Sequence, residues 1–334
     1  MGESILAKFK RFYKDIDDNI KEDNMAWVKT KVTFDFLMER ISHNIELIDY
    51  IQYRFYYKKK AERRKFATHG ELIKVIRTCN DPKLRPIFDQ KPLFNTDFES
   101  FLGRDWLNAD TASLDDIKDF LQKHDRVFGK VPDGMFGKGI QIFNSTTEIK
   151  EDVLQKIKSD KLLLEESLTQ YNELKEFNES SVNSMRVVTL NTLNDGVKVM
   201  AGVLRLGRKG RFADNFHYNG IASLIDVETG IVYTTGIDRN WNRYVVHPDS
   251  HKTIVGFKIP KWEEIKETVK AAALRHPEVR YIGWDVSINE VGKIVLIEGN
   301  PGADFDVTQI PDQVGVWTKF KPYIDEIEKF KNKR

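Results

Sequence analysis

Apolar residues recur at helical spacing through the start of the chain: Ile5, Phe9, Phe12 and Ile16, then Phe34, Phe36, Leu37, Ile41, Ile45 and Ile48. This period predicts several helices over the first ninety or so residues. Glycine agrees with that reading, since Gly70 stands alone between Gly2 and Gly103. From about residue 91 the texture changes to short apolar runs separated by turn signals. Arg126–Phe128 and Asp160–Leu164 read as strands. Residues 186–193 and 197–205 are β-rich and flank Asn194-Asp195-Gly196, a strong hairpin signal. Two further pairs follow, 221–226 with 231–235 and 280–287 with 293–298. A helix is predicted over 261–274, opened by Pro260, and another over 322–332. Antiparallel hairpins with interspersed helices predict an α+β architecture, not a doubly wound parallel sheet.

Composition adds bounds. The chain has 334 residues, 40% hydrophobic, enough for one large domain or two modest ones. A formal charge of +2 gives no argument for a nucleic-acid partner. The single cysteine, Cys79, excludes an intrachain disulfide and reads as an inert thiol. No run is long and apolar enough to predict a membrane span, and the charged N-terminus lacks a signal-peptide pattern. The expected compartment is a reducing, ATP-rich cytoplasm. Composition leaves the oligomeric state open.

The most informative stretch is YIGWDVSINEVGKIVLIEGNPG, residues 281–302. A turn centred on Val291-Gly292 places Asp285 directly opposite Glu298 on one face, with Asn300 two residues further along. Like charges opposed across strands are destabilising, so the expectation is that a hard cation neutralises them. Mg²⁺ uses one or two carboxylates with substrate phosphates, and Asn300 adds an amide oxygen. The bland alternative is a surface hairpin with its acids in water; Ile282, Trp284, Val295 and Ile297 are too apolar for that.

A second motif is VFGKVPDGMFGKGIQIF, residues 127–143. A strand delivers Lys130, and Gly134, Gly137 and Gly139 form a loop carrying Lys138. Glycines let backbone N–H groups approach phosphate, and lysines add positive charge. Pro132 occupies the position where a Walker A loop needs its first glycine, and there is no G-x-G-x-x-G fingerprint. An ordinary hairpin turn is the competing reading of this loop.

In this order and separation the two motifs resemble the ATP-grasp superfamily. A third piece agrees: Leu162-Leu163-Leu164-Glu165-Glu166-Ser167-Leu168 resembles that fold's adenine strand and interlobe linker. The nearest group is the sugar-transfer-associated ATP-grasp proteins, linked to polysaccharide assembly. Its pattern is echoed by Ser181–Arg186, Ala213–Gly220 and Glu298–Pro301, and the similarity runs from about Asp81 to Val314. Ser184 stands where the group more often has threonine, and Asn219-Gly220 where related ligases often have paired glycines.

The resemblance implies an ATP-grasp fold of two α+β lobes gripping ATP. A helical N-terminal region would span 1–88, the first lobe 89–175 and the second 176–334. Lys91 would open the first lobe, Lys130 would hold the α- and β-phosphates, and Gly134 to Gly139 with Lys138 would close over the β- and γ-phosphates. Glu165 and the backbone of Glu166 to Leu168 would frame adenine, and Glu173 would meet the ribose hydroxyls. Asp285, Glu298 and Asn300 would hold Mg²⁺. Arg186 and Arg205, with Lys138, would face the transferring phosphate. Asp214, Asn215 and His217 would line the acceptor site. The implied activity is an ADP-forming ligase joining a carboxylate to an amine through an acyl phosphate, on a saccharide-linked or amino-acid-like substrate in polysaccharide biosynthesis. The alternatives are a kinase of the same fold acting on a hydroxyl, or a non-catalytic polymer-binding protein. Many such ligases carry a nucleotide-fold-like N-terminal domain; a helical one here leaves the substrate unassigned.

One segment stands apart. Residues 50–66, YIQYRFYYKKKAERRKF, mix aromatics with lysines and arginines. An anionic partner or peripheral membrane contact is one reading. An amphipathic helix with buried aromatics and solvated lysines is the other, and it is preferred here. His247, His251 and His276 show no metal spacing with one another and are assigned no role.

Overall fold

The computed structural model describes residues 5–19, 24–131, 140–144, 150–211, 214–216 and 219–333. The chain divides into two compact units, Met1–Thr78 with Asp304–Arg334, and Cys79–Ala303.

The first unit is helical, as the apolar spacing predicts. Its core is aromatic: Phe12, Phe36 and Tyr50 meet with ring centroids 5.4 to 6.2 Å apart. The helix Met25–His43 buries Val28, Val32, Phe36 and Glu39. The other apolar set on that helix faces out, with Phe34 65% and Ile41 81% exposed. The helix stops where Asn44 takes a left-handed conformation (φ 52°), so the predicted period does not run on to Ile48 as one element.

The aromatic-basic segment also differs from expectation. Arg54 at φ 50° interrupts it, and the chain continues as a short 3₁₀ turn, Phe55–Tyr57, and a single helical turn, Lys60–Arg63. Tyr50, Tyr53 and Phe55 are fully buried, while Arg63 is paired with Asp35 and Glu39. These three aromatics are therefore core residues, though not of one amphipathic helix, while Tyr57 is exposed. No helix among the described residues is long and apolar enough to cross a membrane.

Residues 304–334, expected within the second lobe, group with these helices. The buried amide of Gln309 explains part of this. It accepts from the Ala67 N–H and donates to the Ala67 carbonyl, at 2.8 and 2.9 Å. Gly315 packs so closely on Lys65 that a Cβ there would lie 2.2 Å from its carbonyl carbon. The last helix, Trp317–Lys331, begins before the predicted start because Pro322 is tolerated inside it.

The second unit holds two antiparallel sheets. The smaller has β1 (Trp106–Asn108), β2 (Arg126–Lys130), β3 (Gln141–Asn144) and β4 (Leu163–Glu166) in the order β1-β4-β2-β3. Helices Leu114–Lys123 and Glu151–Ser159 cover one face and bury Ile117, Phe120, Leu121, Leu154 and Ile157 with Val127 and Leu164. The pattern of short apolar runs predicts only strands in this region; the amphipathic helices are the difference.

The larger sheet has β5 (Ser184–Asn191), β6 (Val197–Leu206), β7 (Ile221–Ile225), β8 (Gly236–Ile237), β9 (Arg243–Tyr244), β10 (Tyr281–Ile288) and β11 (Ile294–Asn300), in the order β11-β10-β5-β6-β7-β8-β9. The predicted β5–β6 hairpin forms, with Gly196 at φ 67° in its turn. One face of this sheet packs on the helix Trp262–Ala273 and on Phe88, Phe94 and Phe98, burying Met185, Val187, Leu204, Trp284, Val286 and Leu296. Strand alternation sends the intervening residues to the opposite face. That face carries the polar side chains of interest. The α+β class and the helical N-terminal region stand as expected.

Candidate active site

Asp285 of β10 lies directly opposite Glu298 of β11, as expected. The route to that pairing is different. The hairpin closes at Asn289 and Lys293, which are joined by backbone and Asn289 Oδ1 bonds, around the three residues Glu290 to Gly292. That turn, with Gly292 at φ 81°, pairs Val286 with Leu296. The same register carried onward would set Asp285 against Ile297. A bulge between Asp285 and Val286 shifts it by one residue and brings Glu298 into line.

Asp285 also pairs across to Arg186 of β5, so a polar row runs Glu298, Asp285, Arg186 over three adjacent strands. Arg186 grips both carboxylate oxygens of Asp285, with Nη2 at 3.0 Å from Oδ2. Arg205 of β6 donates from Nη1 to the same Oδ2 at 2.7 Å. Burial alone would push the Asp285 pKa up, but the two guanidiniums hold it well below the usual carboxylate range. Two opposed acids here do not require a metal ion to coexist. Beside the expected cation, the protein itself supplies compensating charge for Asp285.

Glu298 is treated differently. Its side chain is reached by solvent. Even so, crowding by protein, and then the adjacent Asp285 carboxylate, push its pKa up. Asn300 Nδ2 donates to Glu298 Oε1 at 3.0 Å, which orients the amide beside it. The face thus sets the carboxylates of Asp214, Asp285 and Glu298 against the guanidiniums of Arg186 and Arg205, an excess of one negative charge. Two carboxylates, an amide oxygen and a residual negative charge form a hard, all-oxygen donor set. That set fits Mg²⁺.

Asp214, expected to line the acceptor site, is buried and already committed. Its Oδ2 accepts from the N–H and hydroxyl of Ser184, and its Oδ1 lies 3.3 Å from Arg205 Nη2. It positions Arg205. Serine in place of threonine keeps the hydroxyl that this contact uses. Asn219 adopts φ 68°, a conformation asparagine tolerates in place of glycine. Gly220 is required more strictly, because a Cβ there would fall 2.0 Å from the Asp214 carbonyl oxygen. Asn215 is half-buried, and its carbonyl accepts from the Gly220 N–H.

On the small sheet, Lys130 at the end of β2 reaches Glu165 of the adjacent β4. Glu165 is buried and also accepts from Arg104 Nη2 at 3.0 Å and Asn95 Nδ2 at 2.9 Å. Burial pushes its pKa up, and the charges of Arg104 and Lys130 more than reverse this, leaving it well below the ordinary range. Arg104 also donates to the Leu296 carbonyl of β11 at 2.8 Å, tying the two sheets together. The N–H groups of Glu166 and Ser167 bond to the carbonyls of Asp105 and Arg126, Leu168 is half-buried, and Glu173 is exposed. Lys91 is the first residue of the helix Lys91–Asp97, which supplies Asn95. Gly134, Gly137, Lys138 and Gly139 of the glycine loop, and His217, lie outside the described residues.

The sequence reading missed Arg104 and Asn95, which sit outside any motif. It also missed the buried amides around the entry to β5. Asn183 donates to Gln170 Oε1 and to the carbonyls of Leu174 and Asn178, and accepts from the Gly207 N–H. The signal available was Asn183 itself, inside the Ser181–Arg186 segment that carries part of the resemblance. His247 is fully buried and bonded to the Gly207 carbonyl at 2.9 Å.

Residues 73–324 match the family model described as sugar-transfer associated ATP-grasp. No curated protein matches the chain in sequence. Among solved structures it is similar to the ATP-grasp ligase PsnB complexed with precursor peptide PsnA2 and AMPPNP, at 13% identity and TM-score 0.47 over 93% of this chain and 76% of that one. It is also similar to PsnB with its minimal precursor, at 13% identity and TM-score 0.46, where it matches 75% of this chain and 63% of the other. A third is D-alanyl-alanine synthetase A from Vibrio cholerae O1 biovar eltor str. N16961, at 11% identity and TM-score 0.43, with 73% and 63% covered. In the latter two comparisons the chain spans less than two thirds of the other protein.

Proposed function

We propose, because the chain belongs to the sugar-transfer-associated ATP-grasp family, that it is an ADP-forming ligase joining a carboxylate to an amine through an acyl phosphate. The observation that carries this reading is the Glu298–Asp285–Arg186 row, with Arg205 at its side. Phosphoryl transfer needs positioning and charge neutralisation more than covalent help. Asp285, Glu298 and Asn300 would hold Mg²⁺, which when bound offsets phosphate charge. Arg186 and Arg205 lie on the same face, prepaid in orientation by Asp285 and Asp214, and would face the transferring phosphate. Lys130, held by Glu165, would take the α- and β-phosphates. The loop Gly134–Gly139 with Lys138 would cover the other end of the triphosphate and exclude water, which hydrolyses acyl phosphates. Backbone from Glu166 to Leu168 would frame adenine, Glu173 the ribose, and Asn215 and His217 the acceptor.

The named structural relatives include ligases of peptides and of amino-acid-like substrates. The words sugar-transfer associated in the family description support a saccharide-linked acceptor; polysaccharide biosynthesis in the cytoplasm is part of the same proposal. ATP turnover with candidate acceptors in the presence of hydroxylamine is the test. Hydroxamate formation marks an acyl phosphate and supports the ligase. A stable phosphorylated acceptor without hydroxamate replaces it with a kinase.

A further inference from the structure

A second cluster of metal-ligand side chains lies on the small sheet, on the face turned away from Glu165. Asp105 precedes β1, His124 follows the helix Leu114–Lys123, and Glu166 ends β4. Alternation along β4 puts Glu166 on the opposite face from Glu165. Each of the three residues can bring one ligand atom within 4.8 Å of the others. His124 is 7% exposed, and its Nε2 is buried with no hydrogen-bond partner among the described residues. That nitrogen lies 3.3 Å from Asp105 Oδ2, and Nδ1 lies 3.4 Å from Glu166 Oε1.

We propose that Asp105, His124 and Glu166 form a binding site for a divalent transition-metal ion of the Zn²⁺ type. A buried ring nitrogen left without a hydrogen bond is costly unless something else engages its lone pair. Two ligands of a tetrahedral zinc, with bonds of about 2.0–2.2 Å, stand about 3.4 Å apart, which is close to the Nε2–Oδ2 spacing. With metal on Nε2, the Nδ1–H faces Glu166, the arrangement by which a carboxylate orients a metal-bound imidazole. One imidazole nitrogen from His124 and one carboxylate from Asp105, with water completing the shell, suit zinc better than Mg²⁺, which prefers oxygen alone. Lys123 is paired with Asp105 and is well exposed, so it competes with the metal and is free to swing out when the ion binds. A bound ion joins the entry to β1, the end of a helix and the exit of β4. It thereby braces from behind the strand whose Glu165 holds Lys130.

The test is calorimetric titration of tag-free, chelator-stripped protein with Zn²⁺, in excess Mg²⁺ so that the oxygen-only site on the large sheet is not counted. The expected result is about one Zn²⁺ per chain, weakened roughly tenfold or more by His124→Gln and by Asp105→Asn. Lys123→Gln should bind several-fold tighter. Thermal unfolding of the metal-free variants checks that each still folds. If either fails, Co²⁺ added to the wild type gives a reading without a variant: intense visible absorption of a tetrahedral nitrogen–oxygen site supports the proposal. No stoichiometric binding, or binding that His124→Gln leaves unchanged in a folded protein, overturns it and leaves an imidazole bridging two carboxylates.

Discussion

The two sheets of the second unit handle their acids in opposite ways. On the small sheet, Glu165 has three donors, Lys130, Arg104 and Asn95, and its charge is fully met. On the large sheet, Asp285 is met by Arg186 and Arg205, and Glu298 beside it is not. The first arrangement is finished as it stands, and its carboxylate serves to aim a lysine. The second has an acid left over, pushed toward protonation by crowding against protein and then by its neighbour, and a bound cation would relieve that leftover charge. Both sites set acids against bases and an amide; on the proposed function, the count of acids against bases would make one a brace and the other a receptor.

Breaking the large-sheet site should have the largest effect. Glu298→Gln and Asp285→Asn should each lower ATP turnover by about two orders of magnitude or more, since metal charge stabilisation is worth several kcal/mol. The two should separate in thermal unfolding. Asp285→Asn leaves two guanidiniums poorly matched and should lower the melting temperature, while Glu298→Gln removes a like-charge contact and should hold or raise it. Wild-type turnover in Glu298→Gln would end the metal reading.

The small-sheet site should fail the other way. Glu165→Gln strands Arg104 and Lys130 and should cost stability first, on the order of 3–5 kcal/mol, measured by denaturant unfolding. A stable Glu165→Gln protein that had lost only turnover would make Glu165 a direct nucleotide contact instead.

A smaller effect is expected from Gly283→Ala. The added Cβ would lie 2.4 Å from the Ala303 Cβ and 3.0 Å from the Arg186 Cδ. It should displace Arg186 and lower turnover by roughly tenfold, an energy near 1.4 kcal/mol. Unchanged kinetics would show that Arg186 has room to adapt.

The mildest perturbation is pH. A depressed carboxylate such as Glu165 contributes stability above its unfolded pKa, near 4.5, that is lost as pH falls through the folded value. A raised one such as Glu298 has the opposite sign: its contribution is present below about that same unfolded value and is lost as pH rises through the folded pKa. Mg²⁺ should therefore raise the melting temperature at pH 7.5 and do little at pH 4, where Glu298 is protonated. Equal shifts at both pH values would place the bound ion away from Glu298.

Much of this was legible in the chain. The Asn194-Asp195-Gly196 turn, the helical period of the first residues and the pairing of Asp285 with Glu298 all appear as read. These are local properties. Turn residues set φ, and alternation sets faces, within a few positions of one another. Even here the bulge near Asp285 was hidden, because a tight turn at Val291-Gly292 and a three-residue turn combined with a one-residue bulge in the strand give the same pair. The aromatic-basic segment was read correctly as core for Tyr50, Tyr53 and Phe55 but not for Tyr57, and wrongly as one helix, since a single left-handed Arg54 leaves no sequence mark.

What the sequence by itself determined, then, is which residue types fall on one face of each ribbon, and with them the chemistry available. Tertiary structure alone decided their partners: Arg104 and Asn95 on Glu165, Arg186 and Arg205 on Asp285, Gln309 on Ala67. Those contacts join residues tens to hundreds of positions apart. They are chosen by where packed sheets and helices bring buried charges and amides together, and a buried polar group must take whatever partner the packing provides.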